Sequence, residues 1–145
     1  AVARLAKLKI ATSRVMHKGK PLLQDPLFAT RLAKLEIDLE NMKTTNLRVI
    51  AAVAGGGVPG AESSMLKIRG TEIRQEILSL IRRAMGPYAL PFIEAAQYEG
   101  YADEPVGPKE AATAAANYFN YRKLSIFGGS NEIQKNIISK MILGL

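Results

Sequence analysis

The sequence predicts an all-α protein, an up-and-down helical bundle. Three observations carry this. Apolar residues recur at steps of three and four along most of the chain, with no stretch of strict apolar–polar alternation and no internal repeat. Cap and stop signals divide the chain into segments of helical length. Hydrophobic residues make up 48% of the 145 and charged residues 23%, which supplies one core and is ordinary for a globular protein.

The first helix is expected from about Ala3 to Met16, with Leu5, Leu8 and Ile10 apolar and Lys7, Lys9 and Arg14 polar. It stops at "HKGKP", where Gly19 and Pro21 break it. Asp25 and Pro26 open the second helix as N-cap and first helical residue. From there Phe28, Leu32, Leu35, Leu39, Met42, Val49 and Val53 form one seam, with Asn46 its single polar member. A seam that long predicts an antiparallel partner. Asn46 either fixes pairing register or lies half exposed.

"AGGGVPGAESS" is the clearest loop. A third helix follows from about Glu62 to Ala84, its stripe being Met65, Leu66, Ile73, Ile77 and Leu80. Gly70 sits inside it, weakens it by about 1 kcal/mol relative to Ala, and marks close helix packing. Gly86-Pro87 stops it. A long polar connection is expected from Tyr88 to Glu110, including the acidic "YEGYADEPVGP". A fourth helix is expected from about Ala111 to Leu124 and a fifth from about Asn131 to Ile142.

Composition excludes several chemistries. There is no cysteine, so no disulfide framework, thiolate zinc site or cysteine nucleophile. The single histidine, His17, reads as a surface residue, and a site needing two histidine ligands is out of reach. Glu72 and Glu76 share a helix face, but the Glu-x-x-His companions of a di-metal bundle are missing; no metal site is expected. No apolar run reaches the roughly 18 residues of a membrane span. The start "AVARLAKLKIATSRV" is amphipathic and basic rather than apolar, so no signal peptide is visible; it can be read as a transit peptide, but it joins the helical pattern without a cleavage-like break, and no targeting role is expected of it. The chain does not begin with Met and is expected to be a fragment of a longer one. The net charge of +7 raises nucleic acid as a partner. The basic residues are nevertheless spread over every segment, and few aromatics are present to stack on bases.

No nucleophile elbow, P-loop, zincin or dinucleotide-binding motif is present. What remains is "SIFGGSNEIQKNIISKMILGL", residues 125–145, where two glycines run into an apolar helix. Ser130 or Asn131 can cap that helix, and Asn131 with Gln134 has capping-box spacing. Alternatively, the free N–H groups of such a turn and helix start can bind an anion or a carbonyl through backbone alone.

The run "YFNYRKLSIFGGSNEIQKNIISKMILGL" resembles the C-terminal end of acyl-CoA dehydrogenases, with their "I-Y-G-G-T/S-N-E-I-Q" signature and closing "L-G-L". "MLKIRGTEIRQEILSLIRRAMG" and "GKPLLQDPLFATRLAKLEIDLENMKTTNLR" are similar to the two preceding helices of the same domain. The resemblance covers nearly all of this chain, as a single C-terminal helical domain, and about the last third of a family member. It implies that an N-terminal helical domain and a middle β-domain lie outside this sequence.

The resemblance implies FAD as cofactor, an acyl-CoA as substrate, and α,β-desaturation in lipid metabolism. It implies electron-transferring flavoprotein as electron acceptor and a homo-oligomer, dimer or tetramer. The compartment implied is the bacterial cytoplasm, the mitochondrial matrix being the alternative. The backbone N–H of Gly128, in the turn with Gly129, is expected to donate to the thioester carbonyl as an oxyanion-hole donor does. Phe127 would stand beside the acyl chain, where many relatives carry Tyr. Ser130 and Glu132 match positions that contact FAD, near a helix start that favours an anionic or electron-rich edge.

The sequence also departs from the pattern. Many relatives carry the catalytic Glu at the position of Gly128. Here no catalytic residue is assigned, and the base is expected upstream of Ala1. Relatives have an Arg four residues before the Gly of "Phe-Gly-Lys-Pro"; "RVMHKGKP" puts Lys18 for Phe and Arg14, the flavin pyrophosphate candidate, one residue out of register. In "RRAMGPYALPF", Gly86 alone survives of a "Gln-x-x-Gly-Gly-x-Gly-Tyr" segment that meets a neighbouring subunit's adenine. Two alternatives stay open: an acyl-CoA oxidase on the same fold, and a non-catalytic basic helical interaction module.

Overall fold

The computed structural model describes residues 1–104 and 106–144. Five α-helices and one two-residue strand pair make up its regular structure. Helix α1 spans Val2–Arg14 and buries Leu5, Leu8, Ala11 and Thr12 at helical spacing. Thr12 is fully enclosed, and its hydroxyl is satisfied by donating back to the Leu8 carbonyl at 2.8 Å. Ile10, expected among the apolar contacts, is 51% exposed on the other side.

No strand was expected, yet Met16–His17 (β1) pairs antiparallel with Lys20–Pro21 (β2). Lys18 and Gly19 between them both have positive φ, 49° and 77°. Two such residues make the tight turn that matches strand twist. The breakers that end α1 thus also fold a minimal hairpin. His17 in β1 is exposed.

Helix α2 spans Pro26–Ala54, 29 residues or about 43 Å. Asp25 caps it as expected: Oδ1 accepts from the N–H groups of Leu27 (3.1 Å) and Phe28 (2.9 Å). Helix α3 spans Glu62–Met85. The two run antiparallel, as the ion pairs Arg31–Glu76 and Arg69–Asp38 (2.8 Å) demonstrate. Glu72 pairs with Arg69 on an exposed face and Glu76 with Arg31 on a partly buried one, so both carboxylates are held by arginines. Phe28, Leu32, Leu35 and Leu39 of α2 meet Ile73, Ile77 and Leu80 of α3 and Leu5 and Leu8 of α1 in one core.

The α2 seam outruns that core. Met42 is only half-buried, Asn46 is exposed, and Val53 is 42% exposed. Met65, placed in the α3 stripe, is exposed as well. Gly70 faces Met42, whose Sδ lies 3.4 Å from where a Cβ would stand, so the expected close approach is real.

Gly86 ends α3 with φ 55°, and a 3-10 turn, Gly86–Ala89, follows. The connection carries one more 3-10 turn at Ala95–Gln97; "YEGYADEPVGP" falls partly outside the described residues, at Pro105. Helix α4 is shorter than expected. It spans Ala114–Asn120 and then tightens to 3-10 winding over Tyr121–Ser125. Ala111 and Ala112 are buried ahead of it rather than inside it.

Helix α5 spans Asn131–Leu143 and packs on α3, but none of its residues is buried. Ile133, Ile137, Met141, Ile142 and Leu143 are all exposed. Gly144, left-handed at φ 70°, terminates it. Among the described residues no helix is long and apolar enough to cross a membrane.

Candidate functional site

The site is built from a turn, residues 126–129, held between two firm ends. Gly128 (φ 68°) and Gly129 (φ 80°) are consecutive left-handed residues, a conformation side-chain-bearing residues adopt at a cost. A Cβ on Gly128 would meet nothing within 4 Å; one on Gly129 would stand 2.5 Å from Gln134 Nε2. The first glycine therefore faces open space, and the second is fitted against its own helix.

Downstream, Ser130 caps α5, its hydroxyl accepting from the Ile133 N–H at 3.3 Å. Asn131 does not cap; its Oδ1 accepts from Lys67 Nζ of α3 at 3.0 Å, so the Asn131–Gln134 capping box is not formed. The Glu132 carboxyl is held below the usual glutamate range. Its own backbone N–H is the main cause, then the Ser130 hydroxyl, with Lys135 and Lys67 adding charge. A carboxylate in the first turn of a helix is favoured by the helix dipole.

A cavity of about 590 Å³ opens beside the turn. Phe127 and Gly128 line it, with Leu39 and Met42 of α2, Gly70 of α3 and Ala1. Its walls include the cations Lys43, Lys67 and Arg74 and, among the described residues, no carboxylate. Lys43 pairs with Glu40 and Lys67 with Asn131, while Arg74 has no ion pair among the described residues.

Arg14 and Gly86 lie elsewhere. Arg14 lines a different cavity, of about 500 Å³, with Tyr88, Pro108 and Lys109. Ala1 of α1 borders the first cavity and Arg14 ends the same helix, so the two places are about 20 Å apart at 1.5 Å per residue. The candidate residues thus fall into two groups: Phe127, Gly128, Gly129, Ser130 and Glu132 at one end, Arg14 and Gly86 at the other.

Sequence reasoning passed over Thr71 and Gln75 of α3. Gln75 Nε2 donates to the carbonyls of Tyr121 and Arg122, both at 3.2 Å, and Thr71 Oγ1 reaches the Leu124 carbonyl at 3.4 Å. The signal was there: two polar residues one turn apart beside the apolar stripe of α3.

A helical bundle with a glycine turn at the mouth of a cavity, followed by a capped helix, defines the class. The family model for the acyl-CoA dehydrogenase C-terminal domain matches residues 4–143, and the chain belongs to that family. Among solved structures, the ChsE4-ChsE5 complex from Mycobacterium tuberculosis is similar at TM-score 0.72 and 23% identity, covering 99% of this chain and 35% of that one. The electron transferring flavoprotein of Acidaminococcus fermentans is similar at TM-score 0.72 and 14% identity, covering 98% of this chain and 33% of that one. At these identities the likeness is one of fold. The chain spans about a third of the length of either structure. Comparison with curated protein sequences finds no match.

Proposed function

We propose that this domain is the C-terminal part of an FAD-dependent acyl-CoA dehydrogenase and that the Gly128 turn polarises the substrate thioester. The observation that carries this reading is the open left-handed Gly128 beside a half-apolar cavity, inside a family-matched fold. A bound flavin supplies the two-electron acceptor for α,β-desaturation. The residues present fit such a group at the α5 end. There a Cβ-free turn leaves room for close approach, and the Glu132 carboxylate can accept from a sugar hydroxyl. Arg14, which lines a separate cavity, is the basic candidate for the phosphates.

In this reading Gly128 N–H donates to the thioester oxygen and stabilises the charge that grows there as the α-proton leaves. Phe127 flanks the acyl chain. Among the described residues no carboxylate lines the cavity, which supports a base supplied from outside this chain. The separation of Arg14 and Gly86 from Gly128 supports contact with another stretch of cofactor, or with a second subunit's cofactor. The exposed apolar residues of α5 and of the second half of α2 support homo-oligomeric assembly.

The test is turnover of the full-length enzyme with saturated acyl-CoAs and an artificial electron acceptor. Formation of the trans-2-enoyl-CoA by the full-length enzyme, and none by residues 1–145 alone, is expected. Turnover by the 145-residue chain alone would overturn the assignment of the base.

A further inference from the structure

A Cβ on Gly128 would meet nothing within 4 Å, so the aim of this turn depends on what anchors the chain just before it. That anchor is unusually dense. The Gln75 amide donates to the carbonyls of Tyr121 and Arg122 and lies 3.4 Å from Ser125 Oγ. Its two hydrogens serve three acceptors, so the amide sits centrally over the 3-10 turn. Thr71, one turn earlier on α3, reaches the Leu124 carbonyl. Arg122 answers in the other direction, its Nη2 donating to the Gln75 carbonyl at 3.2 Å.

The rest of the turn is held by stacking. The Arg122 and Arg82 guanidiniums lie 4.6 and 4.7 Å from the centre of the Tyr118 ring. Arg4 of α1 covers the Tyr121 ring at 4.2 Å and donates to its hydroxyl. The Nε atoms of Arg82 and Arg122 are enclosed without a hydrogen-bond partner, and both guanidiniums stack on the Tyr118 ring face. All of this grips residues 118–125. Past Ser125, Phe127 N–H still bonds back to the Lys123 carbonyl at 3.0 Å, and Gly128 follows directly.

We infer that Gln75 is a positioning residue: through the 121–125 turn it sets the direction of the Gly128 N–H. The inference rests on the thioester-polarising reading of Gly128. Gln75 does not itself line the cavity. Its effect passes through the backbone of residues 121–127, and a donor displaced by about 1 Å loses on the order of a hundredfold in rate.

The experiment uses the full-length enzyme and three forms: wild type, Gln75→Met, and Gln75→Lys, which keeps a donor of comparable reach. The probe is 3,3-dimethylbutanoyl-CoA labelled with 13C at the thioester carbonyl, which has no β-hydrogen to lose. Difference infrared spectra report the carbonyl stretch, and steady-state kinetics with an oxidisable acyl-CoA report kcat and KM. Binding to the wild type is expected to lower the stretching frequency. Gln75→Met should lose most of that shift and about tenfold or more in kcat, with KM within about twofold. Gln75→Lys should recover at least half of the shift. A Gln75→Met enzyme with lowered thermal stability but the full shift and full kcat would make Gln75 merely structural and overturn the inference. If the wild type binds the probe without a shift, the polarising reading of Gly128 fails instead. Amide exchange then judges Gln75: faster exchange confined to residues 126–129 upholds the positioning role, and unchanged exchange there overturns it.

Discussion

Gly128 and Gly129 share a backbone region but not an environment, and the difference is measurable. Alanine at Gly128 meets no atom within 4 Å, so its cost is the left-handed backbone alone, about 1 kcal/mol in urea denaturation. Alanine at Gly129 pays the same and also displaces the Gln134 side chain. It should be the worse of the two, and adding Gln134→Ala should remove the difference. Equal stabilities for the two alanine variants would contradict the geometry. Glu132 gives a pH-dependent counterpart. Its folded pKa lies below the ordinary glutamate value. Its stabilising contribution is therefore present above the ordinary range and lost as pH falls through the folded pKa. Ser130→Ala removes one cause of the shift, and the Glu132 carboxyl resonance should then titrate at higher pH than in the wild type.

At the scale of the element, α2 is one helix with two halves. Asp25 caps it through two N–H groups, and Asp25→Ala should cost about 1 kcal/mol. Leu35 is buried between α1 and α3, and Leu35→Ala should cost about 3 kcal/mol. Val53 continues the same heptad-like series but lies 42% exposed, so Val53→Ala should fall within about 0.5 kcal/mol of wild type. Equal losses at Leu35 and Val53 in thermal or urea unfolding would mean that the seam is buried throughout. The sequence pattern could not separate these halves, because periodicity records which side of a helix is apolar and not how far its neighbours extend. The same limit explains α4. An alanine-rich run reads as helix from Ala111, yet Ala111 and Ala112 are buried in the approach to it and the regular turns begin at Ala114.

Across the whole molecule, the charge and the apolar surface point to different partners. The +7 net charge is distributed, and Lys9, Arg31, Lys43 and Arg69 are engaged with carboxylates at partly exposed positions. Such pairs contribute little stability but dilute any continuous basic stripe. A nucleic-acid module would retain DNA on a filter at low salt, and no retention is expected here. Exposed apolar side chains occur on several elements, and α5 alone carries five of them, Ile133, Ile137, Met141, Ile142 and Leu143. Ile137→Lys with Met141→Lys should shift sedimentation of the full-length protein toward smaller species. An unchanged distribution would remove α5 from the assembly surface.

The sequence by itself determined the helical class, the Asp25 and Gly86 boundaries, the family, and the Gly-Gly turn, since each is written in local periodicity, capping chemistry or motif. The reading of Phe127, Gly128, Gly129, Ser130 and Glu132 as one cluster was equally legible, because they are neighbours in the chain. Only the tertiary structure decided that Arg14 and Gly86 stand at the far ends of α1 and α3 from the cavity beside them. It also decided that Gln75 and Thr71 grip the turn from 50 residues away. Contacts at that separation depend on how α3 is rotated against its neighbours, and no local pattern in the chain fixes that rotation.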